Sequence, residues 1–522
     1  MPSSQDVNVP MDADDTLVSD ADRWRILAVL LGAIFMSLIG VSIVNVALPA
    51  IQSGLNADNS DVQWVLSGYA LTFGVVLVAA GRAGDIMGRG GLFLIGLAVF
   101  TLSSVAAGLA PDARWLNAAR FVQGIGSGLL SPQGIGMIQQ YFRGDERGRA
   151  FGYFGTVVGF SVATGPVLGG FLIQTGGPEL GWRLTFLVNV PIGIVAFVLG
   201  LMWFPRPLFR RPPEFVEGQT PRRGQRLRSL DPIGSLLLGL AVLAVLYPFM
   251  ESRGSVLTWA LLPGGFLLGG VWIWWERRYK RLGRSPMVDL DIFRTRSFSN
   301  GTAIMTLYFL GMTSIWVLVA LYVQNGEGKT ALEAGMFGIP AALLSAYAAN
   351  WAGHRVNRYG RKIVIAGLVL ALVGLAASIL VILLNEWTGL SIWWLMLSLS
   401  FIGLAQGSVI SPNQALTLAE VPLEYAGSSG AIMQTGQRIG TSVGIAMITA
   451  AVFLSLETLS WSISVIIGFV LIAAVILVAL AVAIKDQHDR RKARPEPDRA
   501  QLEQEAAPEK RGSTPDYSGG HY

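Results

Sequence analysis

The 522-residue chain contains no cysteine, which excludes disulfides, thiol nucleophiles and thiolate-held metals. Its three histidines, His354, His488 and His521, lie outside the apolar stretches and share no metal-ligand spacing. Charge is scarce: 14% of the residues are Asp, Glu, Lys or Arg against 52% hydrophobic, which is too apolar for a soluble protein of this length. Carboxylates are absent where they would matter most, since none of the long uncharged runs contains an Asp or Glu and none occurs between Ile26 and Ala57. The net charge of +5 comes from basic residues gathered in a few loops, so it reports membrane orientation and implies no nucleic-acid partner.

What the chain has in abundance is apolar runs of bilayer length. About 20 apolar residues span a membrane as a helix. Runs at 26–57, 62–81, 90–111, 121–142, 150–178 and 184–205 give six helices. Two more follow at 232–250 and 254–275, and a last set at 297–326, 334–353, 363–385, 387–419, 425–456 and 458–484. The expectation is an all-α integral membrane protein with fourteen spans. Residues 1–22 form an acidic tail without signal-peptide features, 23–205 a first six-helix bundle, and 206–296 basic loops with two inserted helices. Residues 297–484 form a second six-helix bundle and 485–522 a charged tail, both tails being expected to be disordered. Basic residues crowd the loops after helices 2, 4, 6, 8 and 10 and the tail after Ile484, whereas the loop after helix 12 carries Glu420 and Glu424 and no basic residue. By the positive-inside rule both termini are cytoplasmic.

The chain contains a loose copy of itself. GRAGDIMGRG at 81–90 recurs as GHRVNRYGRK at 353–362, 272 residues later, and GLLSPQ ending at Gln133 matches SVISPN ending at Asn413, 280 residues later. Helices 1 to 6 therefore pair with 9 to 14, and helices 7 and 8 are the insertion. Duplicated apolar halves point to a transporter working between two related bundles. In the repeated hinge, Gly81 and Gly88 permit a tight turn and close helix approach, while Asp85 and Arg89 supply opposite charges at the membrane edge. A carboxylate there can serve a neighbouring helix N-terminus, worth about 0.3–2 kcal/mol. The second copy offers Asn357, Gly360 and Arg361. Against this stands an ordinary turn with positive-inside charges, a reading that a second copy weakens.

With these motifs the sequence resembles a major facilitator superfamily transporter of the fourteen-helix drug:proton antiporter branch, over nearly all of 24–484. Gly81, Asp85, Gly88 and Arg89 match the family's hinge motif; Arg120, Gln123, Gly124 and Gly126 its helix 4 motif; Gly165, Pro166, Gly169 and Gly170 its exporter-associated helix 5 motif. IVNVALP at 43–49 and FLVNVPIG at 186–193 are similar to strings of the fourteen-helix branch. The resemblance implies export of small organic compounds across a bacterial plasma membrane, with protons as the coupling ion and no other cofactor. In one place the chain departs from that pattern: relatives carry an acid three residues before IVNVALP, and this chain has Gly40. That puts proton coupling at the usual position in question.

Physically, Pro166 removes a backbone hydrogen bond and the adjacent glycines let helices approach, giving either a rocking surface or a packing seam. Arg120 and Arg438 are charges within apolar helices, each costing at least about 2.5–3.5 kcal/mol, so they face a bundle interior or a wet cavity. Either they are satisfied by backbone carbonyls and amides such as Gln123 or Gln437, or they give the cavity a positive potential that favours acidic aromatic compounds. Asn45, Tyr69, Gln133, Tyr308, Trp316, Gln414 and Gln434, polar or aromatic groups in apolar helices, are candidate cavity residues beside Arg438. GEGKT at 326–330 lacks a P-loop's first glycine and its strand, and GIGSG at 124–128 lacks the strand of a dinucleotide site. No catalytic constellation is present. The rivals are an uptake or facilitative carrier, and a membrane sensor or scaffold that moves nothing.

Overall fold

The computed structural model describes residues 19–209, 231–250, 256–284 and 286–492. Their long helices are α1 (Asp20–Leu55), α2 (Asn59–Met87), α3 (Arg89–Gly108), α4 (Ala113–Tyr141), α5 (Gly144–Leu187), α6 (Asn189–Trp203) and α7 (Pro232–Met250), followed by α8 (Leu261–Arg281), α9 (Arg296–Leu321), α10 (Ile339–Tyr359), α11 (Arg361–Thr388), α12 (Leu395–Thr417), α13 (Ala426–Leu456) and α14 (Trp461–Lys492). Eleven helical spans among the described residues are long and apolar enough to cross a membrane. Helices α4, α8 and α10 fall outside that set. The glutamines and glycines of α4 and the charged final turns of α8 and α10 lower their hydropathy.

The boundaries differ from the sequence expectation in places that have local causes. α1 begins at Asp20, inside the stretch expected to be a disordered tail, because the Ser19 hydroxyl caps it by accepting from the Asp22 N–H at 3.2 Å. Arg23 then ties that first turn to Glu146 at 3.0 Å. At the other end α14 runs past Ile484 to Lys492, because Asp486 is buried and paired with Arg361. Residues 1–18 and 493–522 of the expected tails, and 210–230 of the basic linker, lie outside the described residues. α5 turns at Gly177, whose φ of 70° is open to glycine at no steric cost.

Helix pairing repeats between the two halves. In the first, α1 packs on α5 and α6, α4 on α2 and α3, and α3 on α6. In the second, α9 packs on α13 and α14, α12 on α10 and α11, and α11 on α14. The halves meet where α2 and α4 touch α13, and where α5 lies along α10 and α12. The α7–α8 pair stands outside this scheme, with α7 resting on α2 and α13.

Candidate gate and substrate site

The two hinge turns sit where the halves meet. Between α2 and α3 the chain reverses at Gly88, with φ 105° and ψ 125°, and between α10 and α11 at Gly360, with φ 53° and ψ −134°. Both are positions where a side chain would be strained, which accounts for the glycine in each copy. Gly81, about two turns earlier, lets α2 reach α13: an added Cβ would stand 2.6 Å from the Gly427 carbonyl oxygen.

That approach delivers Asp85 to the N-terminus of α13. Its Oδ1 accepts from the Gly427 N–H at 2.8 Å, and its Oδ2 from the Ser428 N–H at 2.9 Å and the Ser428 hydroxyl at 2.5 Å. A carboxylate here serves backbone donors that a helix start leaves free, and it meets the positive end of the helix dipole. Arg89 closes the clasp, donating to Asp85 at 2.8 Å, to Gln140 of α4 at 2.8 Å and to the Leu423 carbonyl at 2.7 Å. The Asp85 side chain is 1% exposed.

The second copy reaches back the other way. Asn357 donates to Asp145, in the first turn of α5, at 2.7 Å. Gly148 and Gly353 bring α5 and α10 together, an added Cβ on Gly148 standing 2.5 Å from the Gly353 carbonyl. The contacts of Arg361 among the described residues lie within its own half. It pairs with Asp486 at 2.6 Å and donates to Asn413, while Asn300 also donates to Asp486 at 2.8 Å. Asp145, Asp486 and the Gly427–Ser428 amides were not singled out from sequence. Asp486 was hidden by its place beyond the last apolar run. The amides carry no side-chain signal, although the glycine and serines opening α13 mark a helix start.

The helix 4 and helix 5 motifs prove to be packing devices in part. An added Cβ at Gly124 would collide with the Tyr69 carbonyl and the Thr72 hydroxyl of α2, and one at Gly126 would stand 2.6 Å from the Phe100 N of α3. Gly165 lies against Ser42 of α1 and Gly169 against Ile43, whereas Gly170 faces open space. Pro166 lies within α5, but its side chain is outside the described set. Arg120 is enclosed. It donates to the Val65 carbonyl at 2.8 Å and to Gln123 at 2.6 Å, and its guanidinium lies 4.4 Å from the Tyr69 ring centre. Gln123 passes the chain on to Ser104 at 2.7 Å.

Arg438 is different. It is only partly buried, it lies 4.4 Å from the ring centre of Phe73, and none of its nitrogens makes a hydrogen bond or ion pair among the described residues. Phe73 stacks on Tyr69 at 6.2 Å, and Tyr69 donates to Ser127 at 2.8 Å. One turn before Arg438, Gln434 accepts from Ser131 of α4 at 2.8 Å and leaves its own N–H₂ without a partner. Tyr69 and Arg438 thus both meet Phe73, which sequence reasoning did not name, with Gln434 one turn before Arg438 on the same helix. The structure does not bring the other cavity candidates there. Gln133 bonds the Ala80 carbonyl at 2.7 Å and packs over Gly84, Asn45 is exposed on α1, Trp316 lies near Gly338, and Tyr308 and Gln414 are buried in the second half. Gly40 faces Phe100 and Asn189, each about a van der Waals contact away from an added Cβ, so a side chain there would enter the α1–α3–α6 seam.

A polytopic helical protein whose repeated hinges clasp opposite halves is built as a membrane transporter. The chain belongs to the Major Facilitator Superfamily, whose family model matches residues 30–445. It is 32% identical over 441 residues to the probable actinorhodin transporter of Streptomyces coelicolor, covering 83% of this chain and 73% of the relative. It is 30% identical over 421 residues to the multidrug resistance protein Stp of Mycobacterium tuberculosis, covering 80% and 73%. Its fold is that of the human organic anion transporter MFSD10, with a TM-score of 0.62 at 14% identity over 88% of this chain and 99% of that one. The chain is a multi-pass membrane transporter related to drug and antibiotic exporters, and not an enzyme.

Proposed function

We propose that this chain exports small amphipathic organic compounds, acidic aromatic ones in particular, by alternating access between two six-helix bundles with α7 and α8 inserted. In this reading all fourteen long helices span the membrane, both termini are cytoplasmic and the hinge turns form the cytoplasmic gate. The observation that carries it is the Asp85 clasp on α13, answered by Asn357 on Asp145: each half holds the fifth helix of the other. Contacts of that kind can be made in one gate state and broken in the next, which is what alternating access requires. The substrate class rests on Arg438, a cation without a counter-charge, set on the Phe73–Tyr69 stack. An acidic aromatic compound would bring both the charge and a stacking face. Relatives named for actinorhodin transport and multidrug resistance support export. Protons drive the exchange in this reading, although the acid that relatives place in α1 is Gly40 here. The test is cellular accumulation of a panel of aromatic acids and bases with and without the chain. Lower accumulation of the acids with the chain present is expected; higher accumulation would make it an uptake carrier.

A further inference from the structure

The inserted helix pair carries two acids that the gate does not use. Asp231 and Glu276 are each 1% exposed. Asp231 precedes α7 and accepts from the Gly234 N–H at 3.0 Å and from the Trp275 indole N–H at 3.0 and 3.1 Å. Glu276, near the end of α8, is less well served: no donor meets either carboxyl oxygen at hydrogen-bonding geometry, although the Met287 and Val288 amides and the Trp272 indole lie beside it. The two are close together, because one Cβ added at Gly234 would collide with Asp231 Oδ2 and stand 2.7 Å from Glu276 Oε1. A single small residue thus leaves room for both carboxyls at one spot.

No cation neutralises the pair among the described residues. Neither acid forms an ion pair among the described residues, and the charged group set closest to Glu276 at this spot is Asp231 itself. Lys280, on the next turn of α8, is committed to Asp289 at 2.7 Å and Asp291 at 2.5 Å, and by its hydrogen bond it holds Asp291 below the usual carboxylate range. On α2, Asp85 is held by Arg89 and α13, and Arg82 forms no ion pair with either acid among the described residues. α13 brings no titratable side chain from 426 to 437, and its Arg438 lies over the Phe73 ring without an ion pair to either acid. Two buried carboxylates without a cation cannot both remain ionised, since each opposes the other and each has lost its water. Asp231 already has donors fitted to a carboxylate, so the proton falls to Glu276.

We infer that Asp231 and Glu276 form a proton-binding site, with Glu276 carrying the proton while the hinge end is closed. The proton comes from bulk water and returns to it, with only a carboxyl O–H bond formed or broken. The link to the gate is short. Glu276 lies against Met287 and Val288, which pack in one cluster with Phe73, Leu77 and Val78 of α2 and Ala431 of α13. The next residue, Asp289, accepts from Tyr425 at 3.3 Å, just ahead of the α13 amides that hold Asp85. Opening the gate pulls on this cluster and admits water to Glu276, which favours its ionisation. The pair itself stands without the transport reading, whereas its use in coupling rests on it.

The test needs no substrate. The full chain in proteoliposomes is titrated under infrared difference spectroscopy, in which a protonated buried carboxyl shows its own C=O band. A band present at neutral pH, lost on alkalinisation and missing in Glu276→Gln is expected. Asp231→Asn, which removes the opposing charge, should move the band's midpoint down by about a pH unit or more. Asp85→Asn, which loosens the gate, should also lower it, because linkage between sites is reciprocal. A band that survives Glu276→Gln, or an unmoved midpoint in Asp231→Asn, overturns the site. Loss of the band when NaCl replaces KCl at fixed pH overturns the proton in favour of sodium. An unmoved midpoint in Asp85→Asn overturns the link to the gate. Each of these results is independent of whether the chain exports anything.

Discussion

Replacing Asp85 by Asn tests the clasp at its strongest point. The carboxylate takes five hydrogen bonds, from two α13 amides, the Ser428 hydroxyl and two Arg89 nitrogens. Asparagine keeps the shape but turns one acceptor into a donor that faces donors. The Arg89 contact stays within the first half and survives opening, so only the bonds to α13 count toward the gate. Hydrogen bonds to a charged group contribute about 1.5–3 kcal/mol each, and a negative charge at a helix start up to about 2 kcal/mol. Losing one amide bond and the charge therefore weakens the closed state by roughly 3 kcal/mol, or about 100-fold in the closed-to-open ratio. The cysteine-free chain allows this to be read with spin labels on Arg143→Cys and Arg358→Cys, exposed positions in opposite halves at the hinge end. The unaltered gate should give a narrow short-distance peak, and Asp85→Asn a dominant longer one. Identical distance distributions in two folded, equally expressed proteins would refute the assigned role of Asp85.

Arg438→Gln should raise KM for an anionic dye about tenfold and leave a neutral one unchanged. Opposite charges about 4 Å apart interact by roughly 4 kcal/mol at an effective dielectric constant near 20, and desolvation takes back part of that; equal effects on both dyes would count against an anion site. Gly124→Val should lower thermal stability by about 1–3 kcal/mol through its collision with the Tyr69 carbonyl, seen as a lower melting temperature in detergent. In intact cells, an impermeant thiol reagent should label Gly54→Cys and spare Arg149→Cys, and the reverse pattern would invert the orientation.

The hinge turns were legible because glycine and charge are conspicuous between apolar runs, and the copy at 353–362 weakened the reading of an ordinary turn. Their partners were not legible. Asp85 meets backbone amides more than 300 residues away, and Asn357 meets Asp145 at a separation of 212. The two membrane arginines looked alike in sequence, and only their surroundings separate them. Arg120 finds Val65 and Gln123 within hydrogen-bonding distance, while Arg438 finds an aromatic face and no acceptor. The Asp231–Glu276 pair was not legible in the sequence, since Gly234 makes room for both carboxyls only once α7 and α8 are side by side. The end of α14 was misplaced because the buried Arg361–Asp486 pair carries the helix beyond its apolar run.

The central claim, that this chain moves small organic compounds outward, is tested most directly in inverted membrane vesicles, whose lumen corresponds to the cell exterior. Energised vesicles carrying the chain should accumulate an anionic fluorescein dye above the level of vesicles without it, and those carrying Asp85→Asn should not. No accumulation beyond the protein-free control, or accumulation only in right-side-out vesicles, would contradict the account.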